Sequence, residues 1–467
     1  MKVSSSRHHR QTIQAALRRS LKLCTAEGLV GTPLVAISLP VNVFLSALFT
    51  KALHLPLPTI GVIASLPFLC NFLQVFVAPW LSRHLSPKAH VWIPVSVHAT
   101  SWLAFIVILE FLPRNDPVIV GRWLAGWYFV SSFAASLAGV GWNAWIQGWV
   151  PARLRGKYFG QRNQLLSVAT LTFLAVTGWS LAHWDYSIRV FQVIILFSAS
   201  LRFVSVAWIW RTPAANLAAH AQTAAMPLRE QLARVRHSKS LLAFVSFGAV
   251  WSFAANCYGP FYPVFMFEEL KLTAFDVGTL FTLSTLGGAA SLPAWGKLLD
   301  RYGNKAVMTV SLLLWQAGNV SWCFLTPERS SLLYGVYIWS GMTGAGFILG
   351  QFTLLLKLIP VAAKNLAIGV YLSVTSLVAA VAPIIGGLSL NWALSRWDDS
   401  TLHVYHVCFI VQPVVACIGA FWLLRVHEPS ASSLTNVMGA MRNIRTLSGI
   451  FGLSFLVNYV FYRPQRR

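Results

Sequence analysis

Charged side chains are scarce in this chain of 467 residues, where they make up 10%, and only 13 of them are Asp or Glu. A soluble domain carries about 25% charged residues. Apolar residues make up 56% of the chain, which excludes a disordered basic protein, since disorder needs low hydrophobicity. A soluble nucleic-acid binder is a poor fit, because 20 Trp and 30 Phe cannot all be hidden in a soluble core. The composition therefore indicates a polytopic membrane protein.

Patterns that carry enzyme or metal chemistry are also missing from the sequence. It has no G-x-x-x-x-G-K-[ST] phosphate-binding loop, no histidine pair at H-x-x-x-H spacing and no His/Asp cluster typical of membrane hydrolases. The six cysteines fall in or beside apolar segments without metal-ligand spacing, which favours buried free thiols. We therefore expect no enzyme activity, no metal and no cofactor.

Long apolar runs separated by polar turns predict twelve membrane-spanning helices, since a span needs about 20 mostly apolar residues. The breaks carry turn residues, as in Leu55-Pro56-Leu57-Pro58. The predicted spans are 25–49, 58–81, 91–112, 118–149, 164–183, 188–210, 241–266, 275–297, 306–325, 332–358, 366–393 and 403–424. The sequence thus predicts an all-α polytopic membrane protein.

The 36 Lys and Arg residues separate strongly between the two sides of these spans. With the N-terminus inside, 28 fall in inner segments, seven in outer segments, and Arg202 lies within the sixth span. Cytoplasmic loops of membrane proteins carry such an excess of cations. We therefore predict a multi-pass protein of the cytoplasmic (inner) membrane with both termini in the cytoplasm. Attraction to anionic membrane lipid is an expected by-product, and nucleic-acid binding is not expected.

Two polar segments recur at the same place in each half of the chain. Gly296–Lys305 follows the eighth span, and Ala78–Lys88 follows the second span at an offset of 218. The segments 151–160 and 360–369 follow the fourth and tenth spans at an offset of 209. Each half therefore repeats one six-helix unit in one orientation, which predicts two pseudo-symmetric bundles related by an axis along the membrane normal.

These repeats predict five segments of the chain. We expect a basic cytoplasmic tail, a six-helix bundle, a cytoplasmic linker, a second six-helix bundle and a cytoplasmic C-terminal tail, at residues 1–24, 25–211, 212–240, 241–425 and 426–467. The apolar run 447–462 is short for a span and is followed by three arginines. We expect it to lie at the inner surface or packed on the bundle.

The string at 296–305, Gly-Lys-Leu-Leu-Asp-Arg-Tyr-Gly-Asn-Lys, resembles the signature loop G-x-L-[any]-D-R-x-G-[any]-[RK] of the major facilitator superfamily. The resemblance extends over residues 22–425, and the stretch 143–160 is similar to bacterial members that have no assigned substrate. It implies two six-helix halves that alternate access to a central site. The first-half copy departs from the pattern, with Ser82 at the aspartate position and Leu85 at a glycine position.

The resemblance implies that the loop locks the cytoplasmic side when that side is closed. We expect Gly296 to permit close helix approach, Gly303 to form a tight turn, and Asp300 to face a positive helix N-terminus and pair with an arginine. The alternative is that these residues only shape a short loop. Candidate latch residues, some equally explained as cytoplasmic anchors, are Gly296, Asp300, Arg301, Gly303, Arg83, Arg155, Gly156 and Lys364.

Charge within the spans is rare and is therefore functional by default. Glu27, inside the first span, is the candidate for proton or ion coupling or for a salt bridge at the cytoplasmic mouth, with an interfacial glutamate as the alternative. Arg122, near the outer end of the fourth span, is a candidate for holding an anionic substrate or for influencing proton transfer, with an interfacial anchor as the alternative. Arg202 is expected to pack laterally, because the sixth helix is peripheral in the fold that this sequence resembles.

The same resemblance places spans one, four, seven and ten around the central cavity. Their polar and aromatic side chains are candidates for binding a partly apolar or hydroxylated solute, although such aromatics also form interface belts. These candidates are Ser38, Asn42, Arg122, Trp127, Tyr128, Asn256, Tyr258, Tyr262, Tyr337 and Trp339. Pro33, Pro40 and the pair Gly259-Pro260 predict bends in spans one and seven.

The sequence thus predicts a secondary transporter of a small organic solute, monomeric and working by alternating access, with protons as a candidate coupling ion. Two alternatives stay open. One is an efflux antiporter of the same fold. The run Ala379–Gly387 is similar to an antiporter signature, but it lies in the eleventh span, whereas that signature lies in the fifth span. The other is a non-transporting membrane protein that keeps the fold for assembly or delivery.

Overall fold

The chain is helical in every regular element that the structure describes. A computed structural model describes residues 2–113, 115–212, 227–360, 363–397, 400–428 and 433–441. It divides into two compact units, residues 1–56 with 69–223, and residues 57–68 with 224–467. The predicted surface helix at 447–462 and linker residues 213–226 lie outside the described part.

The first six predicted spans correspond to seven helices. Pro58 and Pro117 lie in the first turns of α3 and α5, where a missing backbone N–H costs nothing. The helices are α1 (Lys2–Ile37), α2 (Val43–Ala47), α3 (Leu57–His84), α4 (Ala89–Phe111), α5 (Pro117–Trp149), α6 (Ala152–His183) and α7 (Ile188–Arg211).

The remaining six predicted spans correspond to eight helices. One short helix precedes these eight in the chain, and another follows them. Thr273 and Asp276 form a capping box that begins the eighth span. The helices are α8 (Leu228–His237), α9 (Lys239–Cys257), α10 (Phe261–Glu268), α11 (Ala274–Tyr302), α12 (Asn304–Asn319), α13 (Leu332–Leu358), α14 (Lys364–Arg396), α15 (Thr401–Phe409), α16 (Val411–Arg425) and α17 (Leu434–Met441).

Ten segments of the described chain are long and apolar enough to cross a membrane by themselves. The predicted eighth and ninth spans are not among them. The middle of α11 is rich in Gly, Ser and Thr, which lowers its hydropathy, and α12 has only 16 residues before a 3-10 turn at Val320–Phe324 continues it. They complete the set of twelve transmembrane helices in two six-helix bundles.

The bends predicted in spans one and seven are confirmed. α1 ends at Ile37, the chain leaves helical geometry around Pro40, and α2 begins at Val43 before a π-helical turn at Leu48–Ala52. α9 ends at Cys257, and α10 begins at Phe261 after Gly259-Pro260. Pro33, by contrast, lies within α1 without ending it. The first and seventh spans are therefore interrupted at corresponding places.

The predicted basic tail at residues 1–24 and the first span share one helix. α1 begins at Lys2 and continues through to Ile37, so no break in the helix separates the basic segment from the first span. The change from polar to apolar composition occurs inside one helix. Helical geometry continues across this change, because it depends on local backbone hydrogen bonds and no helix-breaking residue stands between the two parts.

Each unit uses the same helix pairing, as its internal repeat predicts. In the first unit α1 packs against α6 and α7, and α4 packs against α5. In the second unit α9 packs against α14 and α16, and α12 packs against α13. Counted as spans, these are the same pairings: first with fifth and sixth, and third with fourth. The two bundles are therefore pseudo-symmetric copies of one arrangement.

Candidate functional site

Glu27 lies inside the first unit, on the part of α1 that contacts α6 and α7, and it is only 4% exposed. Its Oε2 is 3.6 Å from Nη2 of Arg162 on α6, and its Oε1 is 3.4 Å from Nη1 of Arg202 on α7. Arg162 and Arg202 each lie about ten residues from the nearer end of their helix, roughly 15 Å along the axis. Three helices thus bring three charges together deep within the bundle.

Two glycines make room for the arginines beside Glu27. A Cβ on Gly28 would overlap Nη2 of Arg162, and a Cβ on Gly31 would overlap Nη1 of Arg202. Both guanidinium groups therefore lie against bare backbone of α1. The sequence Glu27-Gly28-x-x-Gly31 places the carboxylate and the two open positions on one side of the helix, since residues three and four apart share a face.

Further contacts fix the two arginines in place. Nε of Arg162 donates to the carbonyl of Cys24 at 3.4 Å, and its guanidinium lies 4.5 Å from the ring centroid of Trp142. A cation over an indole face is attracted by the ring quadrupole. The hydroxyl of Ser205 donates to Oε1 of Glu27 at 3.3 Å and accepts from Arg202 at 3.2 Å. We call Glu27, Arg162, Arg202 and Ser205 the Glu27 cluster.

The Glu27 cluster holds one negative and two positive charges. Buried charges are expensive unless they are paired and hydrogen-bonded. The carboxylate of Glu27 is therefore the counter-charge that the two guanidinium groups share within the cluster. These ion pairs join α1 to α6 and α7.

The candidate solute ligands of the first bundle are already hydrogen-bonded within it. Asn42 Nδ2 donates to the carbonyls of Leu39 at 2.6 Å and Ile37 at 3.0 Å, and Trp127 Nε1 donates to the Ser101 carbonyl at 2.9 Å. The remaining candidates join neighbouring helices, with Ser38 Oγ 3.1 Å from His98 Nε2 and Tyr128 donating to the Ser38 carbonyl at 3.1 Å. These polar groups hold the end of α1 against α4 and α5. Arg122 is exposed and lies elsewhere, in the groove between α4 and α5.

The candidates of the second bundle also have partners inside it. Tyr258 bonds to Ser389 at 2.9 Å, Tyr262 donates to Gln412 at 2.6 Å, and Trp339 Nε1 donates to the Leu314 carbonyl at 2.8 Å. Tyr337 lies 3.8 Å from the sulfur of Met266, and Asn256 donates to the Ser252 carbonyl at 2.8 Å. All five side chains therefore contact either a neighbouring helix or their own helix. A solute would have to compete with those contacts.

At the signature loop, the carboxylate next to the N-terminus of α12 belongs to Glu428. It accepts from the backbone N–H groups of Asn304 at 3.1 Å and Lys305 at 2.7 Å, and from Lys357 Nζ at 3.0 Å. Asp300, expected to face a helix N-terminus, is exposed and has no ion pair within 4.0 Å among the described residues. The anion that stabilises the start of α12 is therefore supplied by the segment after α16.

The glycines of that loop behave differently from each other. Gly303 has a φ of 86° at the turn between α11 and α12, as the tight-turn prediction requires. The close approach expected at Gly296 is absent, since a Cβ there would meet nothing within 4 Å. Close approach occurs further along α11, where Gly287 faces the Ile338 carbonyl of α13. The close approach of α11 to α13 therefore occurs at Gly287 rather than at Gly296.

The other latch candidates remain predictions. Arg83 at the end of α3, Arg301 at the end of α11 and Lys364 at the start of α14 are exposed. Arg155 and Gly156 lie in α6, but their surroundings fall outside the described part of the chain. Among the described residues the structure gives none of the three exposed cations an ion pair within 4.0 Å.

Comparison with known proteins agrees with this architecture. A family model described as Major Facilitator Superfamily matches residues 248–463. The crystal structure of a mutant of the nucleoside transporter NupG aligns with a TM-score of 0.68 at 16% identity, covering 88% of this chain and 100% of that one. The second half of the chain is thus similar to the major facilitator superfamily in sequence, and the fold of the chain is similar to that of NupG.

Two relatives by sequence are described as an MFS-type transporter and an efflux pump. The MFS-type transporter opaD of Aspergillus ustus is 25% identical over 182 residues, which is 39% of this chain and 29% of that protein. The efflux pump mlcE of Penicillium citrinum is 27% identical over 161 residues, 34% of this chain and 27% of that protein. The chain thus matches less than a third of each relative's length. Both of these relatives come from fungi.

Two arginines lie elsewhere than the sequence indicates. Arg162 stands next to a predicted inner loop, yet α6 begins at Ala152 and carries it into the bundle. Arg202 was expected to pack laterally, but it turns inward to Glu27. A signal was available: Glu27 is followed by Gly28 and Gly31, and glycines beside a buried carboxylate leave room for bulky cations.

Proposed function

We propose that the protein is a secondary transporter that carries a small organic solute across a membrane by alternating access. Three observations support this: the match of residues 248–463 to the Major Facilitator Superfamily model, the two six-helix bundles, and the interruptions in spans one and seven. The proposed location is the cytoplasmic (inner) membrane, with both termini in the cytoplasm, and the proposed working form is a monomer. We infer no enzymatic step and no cofactor.

Proton coupling at Glu27 is the mechanism that the geometry favours. The single observation that carries it is one buried carboxylate shared by Arg162 and Arg202, at 3.6 and 3.4 Å. Proton binding removes the charge that holds both arginines, so it favours a different arrangement of α1, α6 and α7. Loss of the proton restores the ion pairs, so the two protonation states would favour different conformations. The site could thereby link a proton gradient to solute movement.

The test begins by finding a solute, with a thermal-shift screen of the purified protein at two pH values. Glu27→Gln is then compared with the unmodified protein in proteoliposomes under an imposed pH gradient. We expect the variant to lose gradient-driven accumulation while retaining solute exchange at equal pH, because glutamine cannot release a proton.

Glu230→Gln serves as the matched control, since Glu230 is an exposed glutamate on the cytoplasmic helix α8. It should leave both activities unchanged. If Glu27→Gln accumulated solute in response to the pH gradient as well as the unmodified protein does, the coupling role of Glu27 would be wrong.

Efflux antiport is the second candidate. It is favoured by the similarity to the efflux pump mlcE of Penicillium citrinum, 27% identical over 161 residues. The two directions differ in one measurable result. Antiport predicts that inward proton flow drives the solute out of the compartment that protons enter, whereas symport predicts that both move together.

A further inference from the structure

Two cavities lie side by side along the crevice between α4 and α5. Their volumes are about 500 and 260 Å³, and both are lined by Ile108 and Trp123. They therefore form one continuous feature, which we call the α4–α5 groove. It runs from Phe111, at the end of α4, to Val130, in the middle of α5. None of its lining residues belongs to the Glu27 cluster.

The walls of the groove are apolar and uncovered. Phe111, Trp123 and Val130 are 79%, 57% and 49% exposed, so no other described part of the chain covers them. The polar groups of the deep end are already used: Ser101 Oγ donates to the His98 carbonyl at 2.7 Å, and Trp127 Nε1 donates to the Ser101 carbonyl at 2.9 Å. Such a surface in a membrane span is suited to hydrocarbon rather than to a polar solute.

Arg122 is the charged residue that lines the groove. It lies five residues after Pro117, about 7 Å along a helix axis that rises 1.5 Å per residue. α5 has 33 residues, which makes it about 50 Å long, whereas the hydrocarbon core is about 30 Å thick. Arg122 therefore lies near the level where lipid headgroups meet the hydrocarbon.

The positive charge of Arg122 is not neutralised by its neighbours. Asp116 is engaged in capping α5, accepting from the N–H groups of Val118 at 2.9 Å and Ile119 at 3.1 Å. Glu110 accepts from Gln192 Nε2 at 3.1 Å. Among the described residues, no carboxylate lies within 4.0 Å of the Arg122 guanidinium. An apolar groove thus has an unpaired cation at headgroup depth.

Gly126 provides the width of the groove at its centre. A Cβ added there would meet nothing within 4 Å, so the position opens on empty space. We propose that the α4–α5 groove binds an anionic membrane lipid, with one acyl chain along the groove and the headgroup phosphate on Arg122. Arginine binds phosphate oxygens in a bidentate manner, which gives selectivity that an apolar groove alone cannot provide inside a bilayer. This site is independent of the proposed transport cycle.

The test titrates delipidated protein with phosphatidylglycerol or phosphatidylcholine of identical acyl chains and counts bound lipid by native mass spectrometry. We expect phosphatidylglycerol to bind more tightly by about tenfold, because its net charge is negative whereas the choline cation offsets the phosphate of phosphatidylcholine. Arg122→Gln should remove that preference by weakening phosphatidylglycerol binding more than phosphatidylcholine binding. Arg189→Gln, at an exposed arginine near the start of α7, is the control and should retain the preference.

A second pair of variants tests the groove itself. Gly126→Leu should fill it and abolish the tightest lipid site for both lipids. Gly139→Leu places the same change on α5 at a position that also has no atom within 4 Å but lies outside the groove, and should bind as the unmodified protein does. If Gly126→Leu failed to fold, Ala104→Leu, at an exposed lining position on α4, would fill the groove from the other wall.

Three results would overturn the proposal. They are equal affinity of the unmodified protein for the two lipids, a preference that persists in Arg122→Gln, and indistinguishable lipid binding by folded Gly126→Leu and Gly139→Leu.

Discussion

Burial of the Glu27 carboxylate is unfavourable unless its arginine partners stay close to it. Its side chain is 5% exposed, and those of Arg162 and Arg202 are 9% and 12% exposed. Removing one partner from a buried ion pair is strongly destabilising, because it leaves an uncompensated charge. The residues that position the guanidinium groups should therefore matter almost as much as the charges themselves. Gly28 and Gly31 are these residues.

The first prediction concerns Gly31→Ala. The added Cβ would overlap Nη1 of Arg202, whose flexible side chain must then move from Glu27. We expect a loss of stability of about 1–3 kcal/mol from this overpacking, measured as a lower melting temperature of the purified protein. In Gly139→Ala nothing lies within 4 Å of the new Cβ, so the helix should gain up to about 1 kcal/mol. Equal shifts in the two variants would contradict the positioning role of Gly31.

At the scale of the helix, interruption of span one depends on Asn42. Its Oδ1 accepts from the N–H of Leu45 at 2.9 Å and caps α2, while its Nδ2 satisfies two carbonyls near the end of α1. One amide thus serves both helix ends across the break. Span seven is interrupted differently, by Gly259-Pro260, since proline cannot supply a backbone donor there.

The second prediction follows from this capping role. Asn42→Ala should lower stability by about 1 kcal/mol, as loss of an N-cap does, and should leave the affinity for a transported solute unchanged. Asn42→Ser restores an acceptor at the cap and should recover part of the melting temperature. A variant Asn42→Ala of unchanged stability but weakened solute affinity would instead support the solute-binding role that the sequence suggested.

The whole molecule consists of two units with the same internal pairing of helices. Interruptions at matching places in spans one and seven give each unit one segment able to bend. A transporter uses such matched bends to open one side while it closes the other. A scaffold of the same fold has no need to alternate.

The third prediction tests that alternation. In a chain whose six native cysteines are replaced, single cysteines at Leu39, beside the first break, and at Ser252, on α9, are labelled with a membrane-impermeant maleimide. We expect solute to change the labelling from the two sides of the membrane reciprocally. One fixed pattern, with or without solute, would favour a non-transporting role.

Several features of the molecule could be predicted from short stretches of sequence. Pro40 and Gly259-Pro260 marked the breaks, because a breaker acts on its own backbone. The run Gly296–Lys305 marked a tight turn, which Gly303 forms. Arg162 could not be predicted in the same way, since an arginine next to an inner loop fits the loop as well as the helix. Its role depends on where α6 begins and on what α1 presents to it.

The sequence by itself determined the fold class, the twelve spans and the repeat of one unit, because these depend on hydrophobicity, length and local backbone chemistry. Only the tertiary structure decided which polar groups are engaged. It joined Glu27 to Arg162 and Arg202, gave Glu428 rather than Asp300 to the start of α12, and placed Arg122 in an apolar groove with no ion pair to any described residue. The reason is physical: an ion pair depends on distances between helices far apart in the chain, and no local pattern encodes those distances.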